Sequence, residues 1–178
     1  MVDDFDAWYV DARASLDPAL TAWCGDAGVA SDALDEAFVR AVERWDRVRT
    51  LASPSGWVWQ TAVNVVRRRA RRRRLEERLL RRPSVGQQVD VAGPCGDDVD
   101  LRRALLTLTE RQRTAVVLFY VADLPTQEIG DVMGIAAGTV SATLHQARHR
   151  LAEQLGVPSD DLDGDLDGDE VQPQGEKR

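Results

Sequence analysis

The sequence predicts an all-α fold: two helical domains joined by a flexible linker, the second a helix-turn-helix four-helix domain, with a disordered acidic tail behind them. Three observations carry this. Apolar residues recur at steps of three and four along most of the chain, the spacing of an amphipathic helix face. No stretch of useful length alternates apolar and polar residues as a strand would. From Pro83 to Asp98 the periodicity gives way to Gly, Pro and polar residues, the composition of a tether between packed units.

A first helix is expected from Phe5 to Trp23, where Trp8, Ala12, Leu16, Leu20 and Trp23 share one face, with Pro18 as a candidate break. A second covers 31–48, SDALDEAFVRAVERWDRV, with Leu34, Ala37, Phe38, Ala41, Val42, Trp45 and Val48 inward and Ser31 or Asp32 as N-cap. Arg49 to Gly56, RTLASPSG, reads as a loop from its Ser, Pro and Gly content. A third helix runs from Gly56 to about Leu80, with Val58, Ala62, Val65 and Val66 buried. Beyond the tether, periodicity resumes at Asp100 with Leu101, Ala104, Leu105 and Leu108. Thr109-Glu110-Arg111-Gln112 then forms a capping box for a helix carrying Ala115, Val116, Phe119 and Tyr120. Two further helices follow. Thr126 caps the first, which holds Ile129, Val132 and Met133 inside, and Gly134 supplies a left-handed turn. The second begins near Gly138 with Val140, Leu144, Ala147 and Leu151 inward. Helix, tight glycine turn, helix is the helix-turn-helix arrangement. The expected division is 1–82, a linker at 83–98, 99–157, and a disordered tail at 158–178 that is too acidic to bury a core.

A chain of 178 residues supports one medium domain or two small ones and excludes a large multi-domain enzyme. Two cysteines, Cys24 and Cys95, and two histidines, His145 and His149, cannot assemble a disulfide framework or a Cys/His zinc cluster. The opening MVDDFD is acidic where a secretory signal would be basic, and no apolar run has the length of a membrane span. A cytoplasmic protein with no membrane insertion is expected.

The net charge of −7 conceals a sorting of charge along the chain. Residues 1–39 carry one Arg and nine acids, 40–82 fourteen Arg and four acids, 99–157 six of each sign, and 158–178 eight acids and two bases. A basic block inside an acidic chain points to a polyanion-binding surface. Its basic residues are all Arg, which suits bidentate contact with phosphate, although a GC-rich genome produces the same bias.

Within the third helix, Trp57, Thr61, Asn64, Arg68 and Arg71 fall on one exposed stripe. An aromatic ring can stack on an unpaired base, an amide can bond base edges, and guanidinium groups neutralise phosphate. The run RRRARRRR, Arg67 to Arg74, strengthens the reading over its rival, a basic helix end favoured by the macrodipole. On the last helix, Ser141, Ala142, His145, Arg148 and His149 are left outward, where a major groove would lie; a helical hairpin used for protein contact is the alternative. The two histidines have no acid or thiol beside them to complete a metal site, and no glycine-rich phosphate loop is present. No enzyme, metal or cofactor is therefore expected. In the tail, DGDLDGDE follows the opening of a calcium loop but lacks the bidentate Glu and flanking helices. Its acids could alternatively fold back on the arginine run.

In this order, the segments DALDEAFVRAVERW, WVWQTAVNVVRRRARRR and TERQRTAVVLFYVADLPTQEIGDVMGIAAGTVSATLHQARHRL resemble the extracytoplasmic-function sigma factors of the sigma-70 superfamily, over almost all of Phe5 to Leu155. The resemblance implies a non-catalytic specificity subunit that binds core RNA polymerase and promoter DNA, with an anti-sigma factor as a further candidate partner. It also implies residue roles. Asp32, Asp35, Glu36, Phe38 and Arg40 lie where the family binds core polymerase. The loop from Arg47 to Gly56 corresponds to the segment that captures a flipped minus-ten base, and Trp57, Thr61, Asn64, Arg67, Arg68 and Arg71 to the minus-ten helix. Thr139, Ser141, Ala142, His145 and Arg148 occupy minus-thirty-five positions.

The departures from the family pattern are Asp35 in place of Gln, small residues at Ala33 and Val42, and Ala136 where a Ser commonly caps the recognition helix. Ser141, Thr143 and Gln146 stand where Lys or Arg is frequent, so weak duplex binding by the second domain is expected. Two other functions fit part of the pattern: a helix-turn-helix regulator that never joins polymerase, and a sigma-like interaction protein with weakened DNA binding.

Overall fold

Apolar stripes recurring every three to four residues become helices throughout the computed structural model, which describes residues 2–79 and 97–157. In chain order these are α1 (Val2–Cys24), α2 (Ala27–Val42), α3 (Trp45–Val48), α4 (Pro54–Leu79), α5 (Asp97–Thr107), α6 (Glu110–Tyr120), α7 (Thr126–Met133) and α8 (Ala137–Leu155). No strand occurs among the described residues. The expected acidic tail and most of the expected linker lie outside them.

Several boundaries differ from the local reading, each for a physical reason. α1 continues through Pro18, because Leu16, Ala19 and Leu20 around it are fully buried and their packing outweighs one lost backbone bond. α2 starts at Ala27, capped by Asp26 in an extended conformation, whose carboxylate accepts from the Val29 N–H at 2.9 Å. Ser31 and Asp32 are interior positions, since buried Ala30 prolongs the apolar stripe toward the N-terminus. The expected single helix over 31–48 is split, with α2 ending at Val42 and α3 beginning at Trp45. Trp45 thereby joins an aromatic cluster, its ring 5.1 Å from Phe5 and 4.7 Å from Trp8. α4 begins at Pro54, a residue suited to a first helical turn, and the Ser53 hydroxyl accepts from the Gly56 N–H at 2.8 Å.

In the second half the capping box forms as expected. The Thr109 hydroxyl accepts from the Gln112 N–H, and the Gln112 side-chain oxygen accepts from the Thr109 N–H. α7 is capped by Pro125 rather than Thr126, with no side-chain bond. Gly134 takes the left-handed conformation, φ 67°, that ends α7, and a Cβ on Gly130 would stand 2.7 Å from the Ile135 carbonyl oxygen. Those two glycines let α8 turn back closely on α7.

α2 packs against α1 and α4, and α8 against α5, α6 and α7. These two groups are themselves packed together, and one core cluster includes Leu16, Leu34 and Trp59 from the first and Val117, Ile129 and Leu144 from the second. The Trp23 Nε1–H donates to the Thr114 hydroxyl at 2.9 Å, and the Ser15 hydroxyl to the Ala122 carbonyl at 3.0 Å. Arg113 also spans the junction. Its guanidinium donates to the carbonyls of Leu105, Leu106 and Leu108 at the end of α5 and to that of Trp23 at the end of α1. Burial lowers the Arg113 pKa, so the charge is sustained by these four oxygens instead of by water.

All five tryptophans, Trp8, Trp23, Trp45, Trp57 and Trp59, belong to the first half, whereas helical circular dichroism reports both halves. With a shared core, urea unfolding followed by the two signals is expected to give coincident transitions. Arg113→Met leaves four carbonyls without their donor and is expected to lower stability by about 3 kcal/mol, read as a lower urea midpoint.

Candidate nucleic-acid interface

Helix α4 is buried on two sides. Val58, Ala62 and Val65 form one, and Trp59 and Val63, 1% and 3% exposed, the other. The sequence pattern marked the first side and missed the second. Trp59 stands edge-on to Trp23 at 6.3 Å between ring centroids. Together with Val63 it lines a cleft of about 350 Å³ whose far wall is Glu110, Arg111, Thr114, Met133 and Ile135. Long-range packing of this kind leaves no local signal.

What remains of α4 is the surface that the basic pattern marked. Trp57 and Thr61 are half-buried, while Asn64, Arg67, Arg68 and Arg71 are exposed, as is every arginine from Arg67 to Arg74. The Thr61 hydroxyl donates to the Trp57 carbonyl at 2.8 Å, which ties it to its own helix. Asn64, itself exposed, accepts from Arg67 at 3.2 Å through Oδ1. Trp57, Thr61, Asn64, Arg68 and Arg71 therefore share one stripe, with a partly open ring at one end and guanidinium groups at the other.

The α2 positions fall beside this stripe and engage it. Asp32 and Asp35 are exposed and Glu36 and Arg40 half-buried, but Phe38 is 4% exposed, its ring edge-on to Trp8 and Tyr9. Phe38 is thus a core residue that holds α2 in place and offers no surface. Glu36 pairs with Arg40, Arg68 and Arg69, and Asp32 with Arg69 at 3.0 Å. The Arg68 hydrogen bond, supported by Arg40 and Arg69, holds the Glu36 carboxyl below its ordinary pKa. Asp35 pairs instead with Arg13 of α1.

On α8, Thr139, Ala142 and His145 are exposed and Ser141 and Arg148 half-buried along one face, while Val140, Leu144 and Ala147 are fully buried. His145 and His149 approach at 3.3 Å between their Nε2 atoms. The Arg148 Nε is buried without a partner. Thr143 is 7% exposed and its hydroxyl donates to the Thr139 carbonyl at 2.7 Å. It is an interior position and cannot count as a lost phosphate contact; of the three positions where the family favours a basic residue, only Ser141 and Gln146 reach solvent. No side chain caps the α8 N-terminus at Ala136, as the residue type implies. Among the described residues no three of His, Cys, Asp and Glu gather as a metal site, and no helix is long and apolar enough to cross a membrane.

Comparison with known proteins agrees with this arrangement. Residues 19–76 match the family model for Sigma-70 region 2, and residues 98–151 that for Sigma-70, region 4. The chain is 33% identical to the RNA polymerase sigma-E factor of Streptomyces avermitilis over 134 residues, which is 75% of this chain and 74% of that protein. It is 27% identical to the ECF RNA polymerase sigma factor SigW of Bacillus subtilis, over 74% of this chain and 78% of that one. The sigma factor RpoE of Bartonella quintana, solved in complex with the anti-sigma factor NepR, has the same fold with a TM-score of 0.69 at 22% identity, over 86% of this chain and 98% of that one. With a region 2 whose basic helix is open to solvent and a region 4 built as a helix-turn-helix, the chain belongs to the extracytoplasmic-function sigma factors of the sigma-70 family, which direct RNA polymerase to promoters.

Proposed function

We propose that α4 reads the minus-ten element as a single strand. Trp57 and Asn64 contact extruded bases, Thr61 sets the turn between them, and Arg67, Arg68 and Arg71 take the phosphates. The observation that carries this is the open guanidinium row continuous with a stripe bearing an aromatic ring and an amide. Stacking and phosphate contact offset the few kcal/mol needed to unstack each base, so recognition and strand opening are one event and no covalent chemistry by this chain is involved. The loop from Arg47 to Gly56, which leads into α4, is the segment proposed to select the base.

Asp32, Asp35, Glu36 and Arg40 are the proposed contacts to core polymerase, and Phe38 is assigned to support them. Thr139, Ser141, Ala142, His145 and Arg148 are proposed to lie in the major groove of the minus-thirty-five element. That anchor is weak, since residues 99–157 balance to zero charge and α8 lacks a side-chain cap, so polymerase and the minus-ten contact carry most of the promoter affinity. An anti-sigma factor is a further proposed partner, by analogy with the Bartonella quintana complex of the same fold. A protein working on chromosomal promoters acts in the cytoplasm.

Replacing Arg68 and Arg71 together with Ala is expected to reduce open-complex formation at least about tenfold in transcription with purified core polymerase, while core binding stays within about threefold. Unchanged opening by that variant overturns the assignment of α4. Charge reversal at the exposed pair Asp32 and Asp35, to Lys, is expected to weaken core binding about tenfold at low salt, and less at high salt, in a titration of labelled chain with polymerase.

A further inference from the structure

Two imidazoles meet on the outward side of α8. Val140, Leu144 and Ala147 are fully buried and fix the rotation of this 19-residue helix, so that His145 stands exposed and His149, one turn later, half-buried beside it. Residues four apart on a helix are neighbours. The rings lie 4.5 Å apart between centroids, tilted by 59°, with their Nε2 atoms 3.3 Å from each other. It is the two outer nitrogens that come together.

That separation is the bite of a tetrahedral metal ion. Two Zn–N bonds of about 2.05 Å meeting near the tetrahedral angle span about 3.3 Å, whereas a square-planar ion with similar bonds, as copper(II) prefers, needs its nitrogens about 2.9 Å apart. A hydrogen bond between the rings fits the same distance, one Nε2 donating to the lone pair of the other. The two states differ in what sits between the nitrogens, a proton or an ion, and zinc takes both lone pairs. The surroundings give an ion a use. Residues 99–157 hold six acidic and six basic residues, and Ser141 and Gln146 on the outward face carry no charge. An ion at His145 adds two positive charges where duplex phosphates approach. Among the described residues no third His, Cys, Asp or Glu joins the pair, so the other ligands come from outside the chain. In a major groove, purine N7 atoms present lone pairs.

We propose that His145 and His149 form a two-imidazole clamp for a zinc ion, whose remaining positions are completed by purine N7 atoms of the minus-thirty-five duplex. This rests on the proposed placing of α8 in the major groove and adds an ion to it. With half the ligands of a structural zinc site, and so roughly half its binding free energy, the clamp alone holds zinc with a dissociation constant on the order of 10 μM. Duplex and ion then tighten each other by the same factor, because the coupling between two ligands is reciprocal. The ion supplies the charge that Ser141 and Gln146 do not.

The test uses the full chain without a polyhistidine tag, zinc chloride as the probe and a chelator-treated sample as the reference. His145 and His149 are the only histidines of the sequence, so their ring C–H signals can be followed by NMR. Both are expected to shift together and to saturate at one ion per chain, with half-saturation on the order of 10 μM. Ala142→His combined with His145→Gln keeps two histidines at exposed or half-buried positions but sets them two turns apart, and is expected to bind zinc at least about tenfold more weakly. Signals that stay unmoved up to about 1 mM zinc, or equal binding by the two chains, overturn the clamp. The second arm titrates a labelled duplex bearing the minus-thirty-five element of a promoter that the chain transcribes with core polymerase. Saturating zinc is expected to raise the affinity of the natural chain about fivefold or more, and that of His149→Gln less than about twofold. Replacing the purines by 7-deazapurines, which lack the ligating nitrogen, is expected to remove most of the gain. Zinc that binds the chain without changing duplex affinity, or a gain that survives the deazapurines in full, overturns completion by DNA. If a scrambled duplex is bound as tightly as the element, the groove placing of α8 fails, and the NMR titration still decides the clamp.

Discussion

A helix buried on two neighbouring sides can offer partners only what is left, and this constraint on α4 organises the molecule. Val58, Ala62 and Val65 fasten it within region 2, while Trp59 and Val63 turn toward Trp23 and region 4. The arginines begin at residue 67, where the apolar stripes have ended, so no guanidinium in the run has to enter a core. Repulsion among the arginines is eased by pairing outward, with Glu36 and Asp32 on one flank and Glu110 on the other. Each pair is solvent-exposed and contributes little to stability. On the proposed reading of α4 they are exchanged for phosphate.

The same economy of side chains couples the surfaces. Glu36 and Asp32 are proposed polymerase contacts and also the partners of Arg68 and Arg69. A polymerase surface that engages these acids leaves the arginines without partners beside the strand they are proposed to bind. Phe38, read from the family pattern as part of the contact surface, lies beneath the proposed contacts, packed on Trp8 and Tyr9.

Local periodicity made the helices legible, together with the capping box at Thr109 and Gln112 and the left-handed Gly134, because those features depend on residues within a turn of one another. It failed where distant residues decide. Pro18 is a candidate break within the helix expected from Phe5 to Trp23, yet its buried neighbours carry α1 through it. Ser31 and Thr126 have the right chemistry for caps, but Asp26 and Pro125 occupy the positions. Thr143 looks like a surface residue on the recognition helix and is covered by tertiary packing. The exposed polar stripe of α4, proposed to read the minus-ten element, was visible in sequence, since polar residues at helical spacing declare themselves. The seam beside it was not, because Trp59, Gln60 and Glu110 acquire their meaning only from one another.

Arg113 shapes how such a molecule can move. One guanidinium ties the end of α5 to the last turn of α1, and the neighbouring Trp23 indole is bonded to Thr114. Sliding by a fraction of an ångström would misalign these donors without giving them new acceptors, so partial displacement of α6 from α1 is disfavoured. The contacts hold or break together, like a latch rather than a spring.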